Sequence, residues 1–398
     1  METTVAIAAA VFAWGVVSSR MGRAHLTAPI VFVVLGAVLA ATTGLVDIDE
    51  LPTWLRPLVE VTLVWVLFSD AAGIRLSDAR RDAGEYGRLL GIGLPLTVLA
   101  GWALAAGMFP ELGVWLALLV GAALAPTDAA LGLPVVTNPA VPATARRWLT
   151  VEGGLNDGIA TPVVMIAIAG AATAEGLSDL GLSEAVVELV LGVVIGGVVG
   201  AAGGWLLRRA RRASWADEQL AGIAVLALSL LAWAGSVTLH GNGFVAAFVG
   251  GLAFGATAGP RGANELVFLE QAQSLVSLLV WLVFGAIAGP VLADHLSWSV
   301  VAYAVLSLTV VRMVPVALAS IGADLDRWTV LFIGWFGPRG LASLVFALIA
   351  LEELDSAAQE AVAVITTTVL LSVVLHGVTA AVLAQKYGEV EAGRTPAA

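Results

Sequence analysis

Six ionisable side chains lie inside stretches of chain too apolar to keep them in water: Asp70, Asp128, Glu152, Asp157, Arg312 and Arg339. A charge deep in a membrane span is costly, so by default it marks a function. The segment VEGGLNDG (151–158) puts Glu152 and Asn156 four residues apart, on one helical face. Gly153 and Asp157 share the adjacent face, and glycines 153, 154 and 158 allow a neighbouring helix to come close. The spacing predicts that Glu152 pairs with Arg312, that Asn156 bridges the two, and that Asp157 is left without a basic partner. Such a carboxylate can hold a proton near neutral pH or exchange it for a hard cation, which prefers oxygen ligands. The plainer reading is that all six charges pair off to fix helix packing.

Two breaks in the helical pattern weigh against that plainer reading. Pro126 stands just before Thr127 and Asp128, and Gly337-Pro338 stands just before Arg339-Gly340. Proline removes a backbone hydrogen bond and frees a carbonyl, and freed backbone is tolerated in a membrane where it lines a polar site. The two breaks fall seven spans apart, so the broken helices run in opposite directions. Opposed broken helices are the mark of an inverted-repeat transporter with a site at the midplane.

The elements that must position these residues follow from composition. The chain has 398 residues, of which 59% are hydrophobic and 12% charged, about half the charge of a soluble domain. Apolar stretches near 4–20, 27–46, 57–74, 88–109, 111–135, 148–173, 183–207, 217–239, 242–259, 264–290, 297–320, 328–350 and 357–384 give about 13 transmembrane helices at roughly 20 residues each. The least secure divisions are at Phe109-Pro110-Glu111 and His240-Gly241-Asn242. The expected fold class is an all-α polytopic membrane protein with inverted repeats and two crossed broken helices. Residues 1–385 form one transmembrane unit, with a core near 88–173 and 297–384 and a short tail at 386–398.

Sixteen of the nineteen basic residues fall on one side of this topology. They are Arg20, Arg23, Arg75, Arg80, Arg81, Arg88, Arg146, Arg147, Arg208, Arg209, Arg211, Arg212, Arg261, Arg327, Lys386 and Arg394; the other side has only Arg56. Acids such as Asp47, Asp49, Glu50, Asp179, Glu352 and Glu353 collect on the side of Arg56. The positive-inside rule then places the N-terminus outside and the C-terminus in the cytoplasm. With no cysteine there is no disulfide or thiolate metal site, and the four histidines, His25, His240, His295 and His376, have no metal-ligand spacing. No catalytic motif or cofactor fingerprint is present, so neither an enzyme nor a resident cofactor is expected. A net charge of −11 argues against nucleic acid as a partner.

The strings FSDAAGIRL (68–76), APTDAAL (125–131), VEGGLNDG (151–158), VVRMVP (310–315), FGPRGLASLVFAL (336–348) and VLHG (374–377) resemble the NhaP-like branch of the monovalent cation/proton antiporter-1 family. The resemblance covers nearly the whole chain. It implies the NhaA/NhaP-like fold, a homodimer in the cell membrane and exchange of Na⁺ or Li⁺ for H⁺ in pH homeostasis. Residue by residue, Asp157 is similar to the family's ion- and proton-binding carboxylate. Asp128 and the Thr127 carbonyl correspond to cation ligands, so Na⁺ is expected at Asp157, Asp128 and Thr127. Asp70 corresponds to an outlying acid that reaches the site through water. Glu152, Asn156 and Arg312 correspond to a stabilising triad, and Arg339 to a base that compensates Asp128 or helix-end carbonyls.

Two departures from the family pattern bear on ion choice. Gly153 stands where the family often has a serine able to ligate the cation, and Asp70 replaces a common glutamate. With Asn156 where a second acid could sit, and no lysine in a core span, one exchangeable charge per cycle predicts electroneutral 1:1 exchange by alternating access. A K⁺/H⁺ antiporter on the same fold is the alternative, and a cation channel a remote one, since no filter-like repeat is present.

Overall fold

The computed structural model describes residues 2–23, 26–43, 52–74, 82–177, 181–259 and 265–392. Arg75, Arg80, Arg81, Arg261, Arg394, Asp47, Asp49, Glu50, Asp179 and His25, all used above to orient or exclude, lie outside the described residues. Every regular element among those residues is a helix. In lipid, backbone groups must be satisfied within the segment, which long apolar runs achieve only as helices. The first helices are α1 (Glu2–Arg23), α2 (Ala28–Thr43), α3 (Leu55–Gly73), α4 (Ala83–Arg88) and α5 (Leu94–Met108). They are followed by α6 (Gly113–Ala123), α7 (Ala129–Val136), α8 (Ala143–Gly153), α9 (Asn156–Ala174), α10 (Leu182–Arg212), α11 (Glu218–Thr238) and α12 (Gly243–Thr257). The remainder are α13 (Val267–His295), α14 (Trp298–Leu308), α15 (Val310–Ala319), α16 (Arg327–Trp335), α17 (Leu341–Leu354) and α18 (Gln359–Ala392).

Among the described residues, eight helical segments are long and apolar enough to cross a membrane, and three shorter apolar helices stand beside them. Each of the predicted spans is occupied by one helix or by a broken pair. Both doubtful divisions are real turns. Pro110–Leu112 forms a tight turn closed by Gly113 at φ 63°, and His240 at φ 57° turns the chain into α12, which Asn242 caps. The last helix continues to Ala392, beyond the boundary at 385 expected from hydropathy.

Two interruptions were not visible in the apolar pattern. A π-helical turn at Leu89–Gly93 joins α4 to α5, and Thr309, at φ −109° and ψ −86°, separates α14 from α15 just before Arg312. A third corrects the reading of the sixth span. That span is two helices, α8 and α9, parted at Gly154-Leu155. Glu152 and Asn156 therefore do not share a continuous face.

The two ends of the bundle are tied differently. At the end bearing Arg56, its guanidinium joins α3 to α17, 2.9 Å from Glu353 and 3.7 Å from Glu352, with Glu60 at 3.0 Å. At the other end Arg88 donates to the Gly322 carbonyl at 2.9 Å and to those of Ala319 and Ile321, closing the C-terminus of α15. Arg147 lies 3.3 Å from Glu85, and Arg211 lies 2.7 Å from Glu265. Three of the arginines that orient the chain, Arg88, Arg147 and Arg211, thus also tie its elements together.

Candidate ion-binding site

The fifth span unwinds at Leu124–Asp128 and the twelfth at Phe336–Gly340, and the two unwound strands meet. The Asp128 N–H donates to the Pro338 carbonyl at 2.7 Å. One oxygen of the Asp128 carboxylate accepts the Leu131 N–H at 3.0 Å, in the first turn of α7. The other accepts the Leu341 N–H at 2.9 Å, the first residue of α17. One carboxylate therefore caps two helix N-termini that face each other, where partial positive charge favours an anion. This contact requires Gly340, because a Cβ there would fall on the Asp128 carboxylate.

The opposite helix ends receive the bases. Arg339 is fully buried, and its guanidinium donates to the Ala125 carbonyl and, at 3.0 Å, to that of Pro126, the carbonyls freed where α6 ends. Arg339 thus takes the helix-end carbonyls; among the described residues it forms no ion pair with Asp128. Its own backbone N–H donates to Ser372 Oγ at 2.7 Å. Beyond it, His376 places Nε2 2.9 Å from the Trp335 carbonyl, at the C-terminus of α16, and Nδ1 3.1 Å from Ser372 Oγ. Nδ1 also lies 2.9 Å from the Ser372 carbonyl, so each ring nitrogen faces a backbone carbonyl. Ser372 and His376, four residues apart on α18, hold the second break open, and the sequence reading assigned no role to Ser372.

Glu152 and Arg312 form the expected pair, a two-pronged contact in which Arg312 Nη2 lies 2.6 Å from Glu152 Oε2 and Nη1 meets Oε1. Both side chains are buried. The expected bridge by Asn156 is not made. Its Nδ2 donates instead to the Thr127 carbonyl at 3.0 Å and the Thr127 hydroxyl at 2.8 Å. The reason is the break at Gly154-Leu155, which turns Asn156 at the start of α9 towards the unwound strand of the fifth span. Asn156 Oδ1 is buried without a hydrogen-bond partner among the described residues.

Asp70, Asp128 and Asp157 come from α3, the first crossing strand and α9, yet they line one cavity of about 310 Å³. Among the described residues none of the three forms an ion pair with a base. Helix α13 also lines the cavity, contributing Gln273, Ser274, Ser277, Leu278 and Trp281, and so does Thr27. Thr127 does not line this cavity. It borders a second one of about 190 Å³ on the other flank of α7, beside Gly153, Gly154 and Pro338, with Asp128 on the wall of both. The described residues contain no cluster of three or more His, Cys, Asp or Glu side chains of the kind that holds a resident metal. What the cavity presents is three carboxylates together with the side-chain oxygens of Thr27, Gln273, Ser274 and Ser277.

Comparison with known proteins shows the family and the fold. The family profile described as "Sodium/hydrogen exchanger, transmembrane" matches residues 6–386. The K(+)/H(+) antiporter NhaP2 of Shewanella sp. strain MR-4 is 27% identical over 242 residues, 59% of this chain and 41% of that protein. The protein of the same name from Shewanella oneidensis is 28% identical over 243 residues, with the same coverage. The matched stretch is thus well under half the length of those relatives. Among solved structures, the sodium proton antiporter MjNhaP1 from Methanocaldococcus jannaschii at pH 8 superposes with a TM-score of 0.77 over 98% of this chain and 100% of that one, at 18% identity.

Proposed function

The chain belongs to the sodium/hydrogen exchanger family, and from that premise we propose that it exchanges a monovalent cation for a proton across the cell membrane by alternating access. One observation carries the reading: Asp157 shares an open cavity with two further carboxylates, while the nearby bases are committed elsewhere, Arg312 to Glu152 and Arg339 to helix-end carbonyls. A carboxylate so placed binds a proton or a cation but not both, and competition for one group couples the two fluxes.

In this reading Asp157 is the exchanging carboxylate. Asp128 adds charge through the lone pairs its two N–H donors leave free, and Asp70 draws the cation along the cavity. Each Thr127 oxygen accepts one hydrogen bond from Asn156 and keeps a lone pair, and Thr127 borders the second cavity, so it would join the ligand set from that flank. Glu152, Asn156, Arg312 and Arg339 stabilise the crossing. The arginine bias supports a cytoplasmic position for the part of the cavity near Thr27 and Gln273, with the N-terminus outside. Na⁺ or Li⁺ is the proposed ion and K⁺ the alternative, favoured by the name of the Shewanella relatives. The homodimer expected from the resemblance, and the division into a moving core and a scaffold, belong to the same proposal.

The test is purified protein in vesicles carrying a pH-sensitive dye, with Na⁺, Li⁺ and K⁺ added separately. Cation-dependent proton movement is expected, with Na⁺ or Li⁺ effective at lower concentration than K⁺. No proton movement with any of the three would overturn the reading. One exchangeable charge further predicts electroneutral 1:1 exchange, and a rate driven by an imposed membrane potential alone would refute that stoichiometry.

A further inference from the structure

The residues that α13 contributes to the wall of the three-aspartate cavity carry no charge, yet several are polar. Gln273, Ser274 and Ser277 occupy one flank of the first half of α13, after Glu270 and Gln271, and the polar run stops at Leu278 and the buried Trp281. Each serine has one proton, and both are spent within the helix: Ser274 Oγ donates to the Glu270 carbonyl at 2.8 Å and Ser277 Oγ to the Gln273 carbonyl at 2.7 Å. What these hydroxyls keep available is lone pairs. Thr27 Oγ1, on the same cavity, is buried without a hydrogen-bond partner among the described residues. The wall is therefore a set of neutral oxygen atoms opposed to carboxylates.

That wall is also stiff. Helices α2 and α13 meet backbone to backbone, since a Cβ on Gly36 would fall on the Leu282 carbonyl and one on Gly285 on the Val33 carbonyl. Thr27, next to the start of α2, is thereby held in register with α13. The carboxylates attract any monovalent cation by charge. Discrimination between ions of different radius depends on how well fixed neutral oxygens replace the water the ion sheds.

We propose that Gln273 and Ser277, with Thr27, form a cation-dehydrating face on α13 that sets the choice among Na⁺, Li⁺ and K⁺, while Asp157 carries the exchange. This rests on the antiport reading above. Gln273→Ala and Ser277→Ala should each raise the apparent KM for Na⁺ about tenfold, leave the maximal rate within about twofold, and change the Na⁺-to-K⁺ KM ratio at least about threefold. An unchanged KM for both ions, or an equal shift for both, overturns the assignment.

A second readout needs no transport. The chain has no cysteine, so Ser277→Cys carries the sole thiol. Its modification by a cationic methanethiosulfonate reagent should be slowed by Na⁺ and not by choline; equal rates in the two salts overturn the proposal. A wild type that moves no protons with any cation overturns the antiport reading instead, and the labelling result still reports whether a cation occupies this wall.

Discussion

The crossing of the broken helices and the cavity beside it are built from the same few residue types, yet their electrostatics are opposite. At the crossing every helix end is met by a group of the right sign. Asp128 caps the N-termini of α7 and α17, Arg339 takes the carbonyls that end α6, and His376 takes the one that ends α16. In the cavity three carboxylates converge and, among the described residues, no base pairs with them. Glu152 and Asp157 illustrate the difference across five residues of chain: one is locked to Arg312 and the other opens on the cavity. A satisfied charge rigidifies a fold, whereas an unsatisfied one remains available to a mobile ion. Asp128 belongs to both regions, which couples the cavity to the helix ends.

The comparison predicts that function and stability separate by residue. The largest effect on exchange is expected for Asp157→Asn, which should lower cation-driven proton movement in vesicles at least about a hundredfold while the detergent melting temperature stays within a few degrees. Normal transport by that variant would remove Asp157 from the site. Arg312→Ala and Glu152→Gln should do the reverse, because each strands a buried charge, at a cost of about 3–5 kcal/mol. A sharp fall in thermal stability before any change in ion preference is the expected sign.

Gly340→Ala tests the residue the two regions share. Its methyl group should displace the Asp128 carboxylate from the Leu341 N–H, costing about 1–3 kcal/mol for an uncapped buried donor and lowering transport as well. Loss of stability with transport intact would show that Asp128 serves the crossing alone. A smaller loss, about 1–2 kcal/mol by thermal melting, is expected for Asn156→Ala, which frees the Thr127 oxygens. Least of all should be Arg56→Ala, since exposed ion pairs contribute about 0–1 kcal/mol; its melting temperature should barely move in moderate salt.

Much of this was legible from residue type and spacing, but unevenly. The buried acids and bases stood out because hydrocarbon leaves few reasons to keep a charge, and Pro126 and Pro338 announced the two crossing breaks. The Glu152–Arg312 pair followed from there being few bases to share. Asn156 was misread because Gly154-Leu155 carries no proline, and a two-residue lapse between apolar turns leaves no mark in hydropathy. The Ser372–His376 pair was hidden for another reason: its partners, the Arg339 N–H and the Trp335 carbonyl, are backbone groups that only the break exposes. The polar flank of α13 was visible as Gln273, Ser274 and Ser277 in an apolar run, but nothing local says what that flank faces.

By itself, then, the sequence determined that the chain spans a membrane many times, which end of it is basic, and which charges lie within. These are properties of single segments, set by the cost of moving each residue from water to lipid. Only the tertiary structure decided which acid would be paired and which left open. That outcome depends on distances between side chains more than a hundred residues apart, as with Glu152 and Arg312, and on backbone donors and acceptors that every residue carries and no sequence distinguishes.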